Sequence, residues 1–195
     1  MRRKSPARSS KKKKRLERLK SFAIHTFLYL VIGVIVVMAG IFAAREYGMA
    51  QVVLDDSMEP VLEREDVVLL NRFGYRFGDP ERMDIVAMNI GSSDKSPVYL
   101  RRVIGIPGDT VRISGGSIYV NGEEVTLYEG AEAIAFSGQA ESEITLEPDS
   151  YFVLCENYNS SNDDSRKSSI GCVDRRQIIG KVWTVAAPLK RMGIL

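Results

Sequence analysis

One histidine, one tryptophan and two cysteines are spread over 195 residues. The shortage of histidine excludes the most. A serine hydroxyl is a poor nucleophile until a neighbouring base takes its proton, and imidazole is the usual base. The one imidazole, His25, lies inside an uncharged apolar stretch. No Ser-His-Asp triad can therefore be assembled from this chain. A polar side chain near the end of such a stretch reaches for the membrane interface rather than relaying protons. Two cysteines with no histidine near them argue against a metal centre, and nothing in the chain asks for a cofactor. Cys155 and Cys172 flank a single loop and are a disulfide candidate, since a disulfide can persist outside the cytoplasm, with two free thiols as the alternative. No internal repeat is visible.

Charge is unevenly placed. The first 20 residues hold eleven Lys and Arg against the single acid Glu17, a surplus of +10, while the chain totals +2 and the remainder carries −8. From Phe22 to Ala44 there is no charged residue at all. As a helix this stretch reaches about 35 Å, enough to cross a hydrocarbon core of about 30 Å. It is too long for the apolar core of a leader cleaved near Ala43-Ala44, and a retained anchor fits better. The basic tail places the N-terminus in the cytoplasm and residues 46–195 outside it. It also attracts anionic lipid headgroups. A nucleic-acid role would need a free basic tail, whereas this one abuts a membrane. The expected organisation is a tail over 1–20, a transmembrane helix over 21–45 and an extracytoplasmic domain over 46–195.

That outer part reads as β. Short β-branched or apolar runs cover residues 51–54, 66–70, 84–88, 99–104, 110–113, 117–120, 151–154 and 178–185. Turn residues separate them: Gly78-Asp79-Pro80, Pro107-Gly108-Asp109, Gly115-Gly116 and Asn121-Gly122. Ser114 to Ser117 predicts a tight hairpin. The fold class expected is mainly β, an antiparallel domain behind one N-terminal transmembrane helix. Residues 128–148 are acidic, rich in small residues and without period, and predict a variable surface excursion.

With histidine excluded, the practical base for a reactive serine is a desolvated lysine, whose pKa falls towards 7 in an apolar site. Lys95 and Lys167 lie in polar turns and read as solvated surface lysines, protonated at neutral pH. Ser57-Met58-Glu59-Pro60, Asp66-Val67-Val68-Leu69, Tyr75 to Pro80 with Asp84-Ile85-Val86, Arg102 to Asp109, Tyr151 to Leu154 with Asn157 and Asp164-Ser165-Arg166, and Ile178 to Val182 follow one another in that order. In this order, behind one span, they resemble the bacterial type I signal peptidases, the Ser/Lys enzymes that cut signal peptides from exported proteins. The resemblance covers residues 49 to about 186. It implies that Ser57 stands at the nucleophile position and Arg101 at the general-base position. It also implies that Asp55, Met58, Pro60, Arg102, Asp109, Asp164, Ser165 and Arg166 support the site.

The departures from the family pattern fall at that site. Arg101 replaces the lysine, and a guanidinium stays charged even when buried, so it cannot accept a proton at physiological pH. Asp55, two before Ser57, stands where the family places Gly or Ser, and a carboxylate there opposes a developing oxyanion. Val61 replaces a threonine, and Cys155-Glu156-Asn157-Tyr158 replaces a Gly-Asp-Asn-Arg stretch. An ion pair between Arg101 and Asp55 is conceivable. Two readings follow from the resemblance: a signal peptidase acting on exported precursor proteins with Ser57 as nucleophile, or a degenerate relative that binds exported or pilin-like chains, as an assembly factor, without cleaving them. A self-cleaving repressor of related chemistry fails, because the chain has a membrane span and no DNA-binding segment.

Overall fold

The structure, a computed structural model, describes residues 6–91, 97–128, 130–161 and 163–195, with side chains from residue 17 onward. Residues 1–5 of the basic tail, and Lys95, lie outside the described residues. The chain divides into two units, Met1–Arg45 and Glu46–Leu195. The described residues of the first belong to one helix, α1 (Pro6–Tyr47), which continues the basic tail into the apolar stretch without a break. Its part from Glu17 to Tyr47 is long and apolar enough to cross a membrane. Apolar residues surround this part on every side rather than forming one stripe, which is the pattern of a helix meant for an apolar solvent.

The second unit is built from two antiparallel sheets. The larger contains β1 (Met49–Val52), β2 (Val67–Asn71), β3 (Ile85–Asn89), β4 (Val98–Gly105), β9 (Ser150–Leu154), β10 (Val173–Asp174) and β11 (Ile178–Ala187), in the order β1-β2-β11-β3-β4-β9-β10, with β12 (Gly193–Ile194) on β11. The smaller contains β5 (Thr110–Ser114), β6 (Ser117–Val120), β7 (Glu123–Val125) and β8 (Ile144–Thr145), in the order β7-β6-β5-β8. All eight predicted runs are strands or lie within one residue or two of one, because their β-branched side chains fill pleated, half-buried surfaces. Ser114 pairs with Ser117, and Gly115 and Gly116 take φ of 61° and 87°. That is the mirror-image turn whose twist matches a hairpin. Asn121-Gly122 repeats the device between β6 and β7, with φ of 54° and 82°.

Three apolar clusters hold the unit together. One fills the smaller sheet and the facing ends of β4 and β9, with Ile104, Val111, Ile113 and Phe152. A second lies under the β1–β2 connection, with Met58, Leu62, Val68, Leu70, Leu100 and Val182. The third packs Val86, Met88, Val103, Tyr151 and Val153 from β3, β4 and β9. Residues 128–148 lie mostly at the surface, as expected, but the excursion is anchored. Ile134, Ala140 and Leu146 are buried in the first cluster, and a 3₁₀ turn over Gly138–Glu141 carries Ala140 inward. A segment that touches a core only once in six residues shows neither the period of a helix nor that of a strand.

Candidate active site

The β1–β2 connection carries Asp55, Ser57, Met58 and Pro60. Met58 and Leu62 are fully buried, and burial of such side chains stabilises by about 1.5–3 kcal/mol each. Between these two anchors the backbone closes into a turn, with the Leu62 N–H on the Met58 carbonyl at 2.8 Å and the Glu59 N–H on that of Asp56 at 3.2 Å. Pro60 lies in the middle of that turn. The loop after β9 braces the same turn, since the Asn157 N–H donates to the Ser57 carbonyl at 2.9 Å and the Asn157 amide to the Asp56 carbonyl at 3.2 Å. Ser57 is left 4% exposed, while Asp55 beside it faces solvent.

Asp55 Oδ1 accepts two hydrogen bonds from Ser57: from the backbone N–H at 3.1 Å and from the hydroxyl at 2.5 Å. On the other side of that hydroxyl, Arg101 Nη1 donates to Ser57 Oγ at 2.7 Å. An arginine donates and never accepts. The single hydroxyl proton is therefore directed at Asp55. A direct Arg101–Asp55 ion pair is not present among the described residues, and the two side chains meet through Ser57 instead.

Arg101 comes from β4, opposite Val86 of β3, and is 1% exposed. Burying a charge is costly unless its hydrogen bonds are made. Here Nε donates to the Asp163 carbonyl at 2.8 Å, Nη1 also donates to the Leu100 carbonyl at 2.6 Å, and the guanidinium lies 5.3 Å from the centre of the Tyr99 ring. Three oxygens and a ring fix one orientation, which a lysine ammonium with its rotating donors would not hold in the same way.

Asp163 is held in place by the segment that follows it. Asp164 and Arg166 are buried. Arg166 donates from Nε to Asp164 Oδ1 at 2.9 Å and from Nη2 to Asp164 Oδ2 at 2.7 Å, and it also reaches the carbonyls of Tyr158 and Ser161. Asp164 Oδ2 accepts the Cys155 N–H. Ser165 binds β9 twice, its N–H on the Val153 carbonyl and its Oγ accepting the Val153 N–H. These three residues follow directly on Asp163 and hold the chain whose carbonyl accepts from Arg101.

Arg102 and Asp109, in contrast, make their hydrogen bonds away from Ser57. Arg102 points to the other side of β4, to Glu156 and the Met83 carbonyl. Asp109 closes the β4–β5 connection, accepting from Arg82, the Ile106 N–H and Asn121. The disulfide is corrected too: both cysteines are free. Cys155 is buried, its thiol directed at Ser161 Oγ, whereas Cys172 packs against the cluster of the smaller sheet. The loop that they flank is folded over the Arg166 cluster rather than drawn into a narrow hairpin. Burial pushes the Cys155 thiol up to about 12, so it keeps its proton. Lys167 is in an ion pair with Asp163 at 2.9 Å, and that hydrogen bond raises its pKa further from that of a base. Two residues escaped the sequence reading. Asp163 reaches Arg101 through its carbonyl, for which no sequence signal exists, and Glu156 answers Arg102 from 54 positions away.

Comparison with known proteins follows the same lines. Residues 23–186 match the family model described as signal peptidase, peptidase S26. The Bacillus subtilis protein named signal peptidase I S is 31% identical over 192 residues, 94% of this chain and 95% of its own length. Signal peptidase I of Leptolyngbya laminosa is 31% identical over 152 residues, 75% of this chain and 72% of its own. The Synechocystis sp. protein named "Probable signal peptidase I-2" is 33% identical over 150 residues, 75% of this chain and 66% of its own, just under two thirds.

Proposed function

Because the chain belongs to the signal peptidase, peptidase S26 family, we propose that it is a serine endopeptidase that cuts exported precursor proteins. Membrane anchoring through α1, with the N-terminus in the cytoplasm and the β unit outside, goes with that role. The charge-free span and the +10 tail support the orientation. Cleavage then follows small residues at the outer membrane surface, as the family resemblance implies. The observation that carries the reading is the Ser57 hydroxyl, held at once by a donor and an acceptor within 2.7 Å. The Asp55 contact alone would be a local turn, but the Arg101 donor arrives from a strand 44 positions away.

A second reading has one observation in its favour. Arg101 stands where the family has a lysine, and it cannot serve as a base. On that ground alone the chain would bind exported or pilin-like segments beside Ser57 without cutting them. The experiment that separates the two uses the full chain in detergent micelles with a test precursor bearing small residues before its cleavage site. Product formed by the wild type and absent with Ser57→Ala supports the peptidase. Wild type equal to Ser57→Ala refutes it. Protease access near Tyr128 in intact cells tests the orientation, and protection there overturns it.

A further inference from the structure

We propose that Asp55 is the proton acceptor for Ser57, and that Arg101 is a fixed positive charge that stabilises the serine oxygen as it attacks; this rests on the reading of the chain as a Ser57 peptidase. The geometry gives each group one possible role. Arg101 Nη1 donates to Oγ at 2.7 Å and has no lone pair to accept with. Asp55 Oδ1 receives the hydroxyl proton at 2.5 Å. Among the described residues, the other titratable groups near the site are committed elsewhere. Asp56, next to Ser57, is paired with Arg64. Lys167 is paired with Asp163, Glu156 with Arg102, Asp164 with Arg166, and the Cys155 thiol holds its own proton.

The chemistry balances with these groups alone. As Oγ bonds to the scissile carbonyl carbon, the Oγ–H bond breaks and its proton passes to Asp55 Oδ1. The carbonyl oxygen takes the negative charge. When the C–N bond breaks, the same proton leaves Asp55 for the departing amine, and an ester remains on Ser57. Water then attacks the ester and gives a proton to Asp55, which returns it to Oγ as the new carboxyl group leaves. Arg101 keeps its proton throughout.

This assignment also removes the objection to a carboxylate beside an oxyanion. The negative charge on Asp55 disappears in the step that creates the oxyanion, so the site holds one positive and one negative charge both before and after attack. The Ser57 N–H, which donates to Asp55 Oδ1 at 3.1 Å in the resting state, faces a weaker acceptor once that oxygen is protonated. It then becomes available to the carbonyl oxygen, where backbone donors contribute most. The Arg101 replacement and the Asp55 replacement are thus one change in two parts: the lysine's function as base moves to Asp55, and its positive charge stays at 101.

The test is precursor cleavage by the full chain in detergent micelles. Asp55→Asn, close in shape, is expected to lower kcat about 10²–10⁴-fold, the usual contribution of a positioned base, with KM little changed. Two rescues distinguish a proton acceptor from a structural role. Formate added to Asp55→Ala, whose site is open to solvent, is expected to recover part of the rate, and Arg101→Lys placed on Asp55→Asn is expected to do so by supplying an amine. If wild type cleaves, Ser57→Ala does not, and Asp55→Asn stays within twofold of wild type, the inference fails while the peptidase reading stands. Loss of rate with unchanged thermal unfolding and neither rescue also overturns it. Wild type no better than Ser57→Ala overturns both.

Discussion

Arg166 and Asp164, two residues apart and both fully buried, grip each other through two parallel hydrogen bonds of 2.9 and 2.7 Å. The remaining guanidinium donors tie down the carbonyls of Phe136, Tyr158 and Ser161. This single side chain therefore joins the segment over 128–148, the loop after β9 and the Asp163 carbonyl on which Arg101 rests. The Cβ that Gly138 lacks would lie 2.2 Å from the Arg166 carbonyl oxygen, so the segment over 128–148 approaches this cluster as closely as backbone allows.

Removing one partner of a buried pair leaves the other charge unmet. Arg166→Ala is expected to destabilise the protein by about 3–5 kcal/mol. Urea unfolding of the full chain in micelles checks this, and a loss under 1 kcal/mol contradicts it. Arg166→Met, which fills the space but not the charge, is expected to be no better, because Asp164 is left buried without its partner.

Acid sensitivity is expected to pass through Asp109. Burial alone would raise its pKa, but hydrogen bonds from Arg82, the Ile106 N–H and Asn121 outweigh burial and hold it below 3.8. A carboxylate whose pKa is lowered on folding contributes stability above its unfolded value, and that contribution is lost as pH falls through the folded one. The stability difference between wild type and Asp109→Asn should be complete at pH 6 and shrink below about pH 4. Unfolding curves at several pH values read this, and a gap that widens in acid contradicts it. Glu156 works in the opposite direction. Its burial outweighs Arg102 and raises its pKa above 4.5, so its contribution is fullest at low pH and declines as pH rises from about 4.5 upward.

Cys155 and Cys172 are expected to titrate as two free thiols in protein isolated without reductant and unfolded in the presence of an alkylating agent. In the folded chain, Cys155 should alkylate far more slowly than an exposed thiol, since burial pushes its pKa up to about 12 and the thiolate is the reactive form. A single oxidised species without free thiols would show that the loop closes in the cell.

Much of the architecture was legible in advance. The apolar span, the eight main strands and both glycine turns follow from local chemistry: an uncharged run of helical length, alternation of apolar residues, and positive φ at Gly and Asn. The short strands β7, β8, β10 and β12 were not, because two or three residues carry no period. Ser57 and Arg101 could be named from sequence order alone, and so could the absence of an imidazole to serve them. What only the tertiary structure decided is how 44 positions of chain close on one oxygen. Packing of Met58 and Leu62 turns Ser57 inward, and the buried Asp164–Arg166 pair fixes the carbonyl that aims Arg101. The carboxylate of Asp55, which from its place in the sequence reads only as an obstacle, ends up on the hydroxyl proton. Such relations depend on directions and distances of side chains from different strands, and these are settled by packing rather than by any run of neighbouring residues.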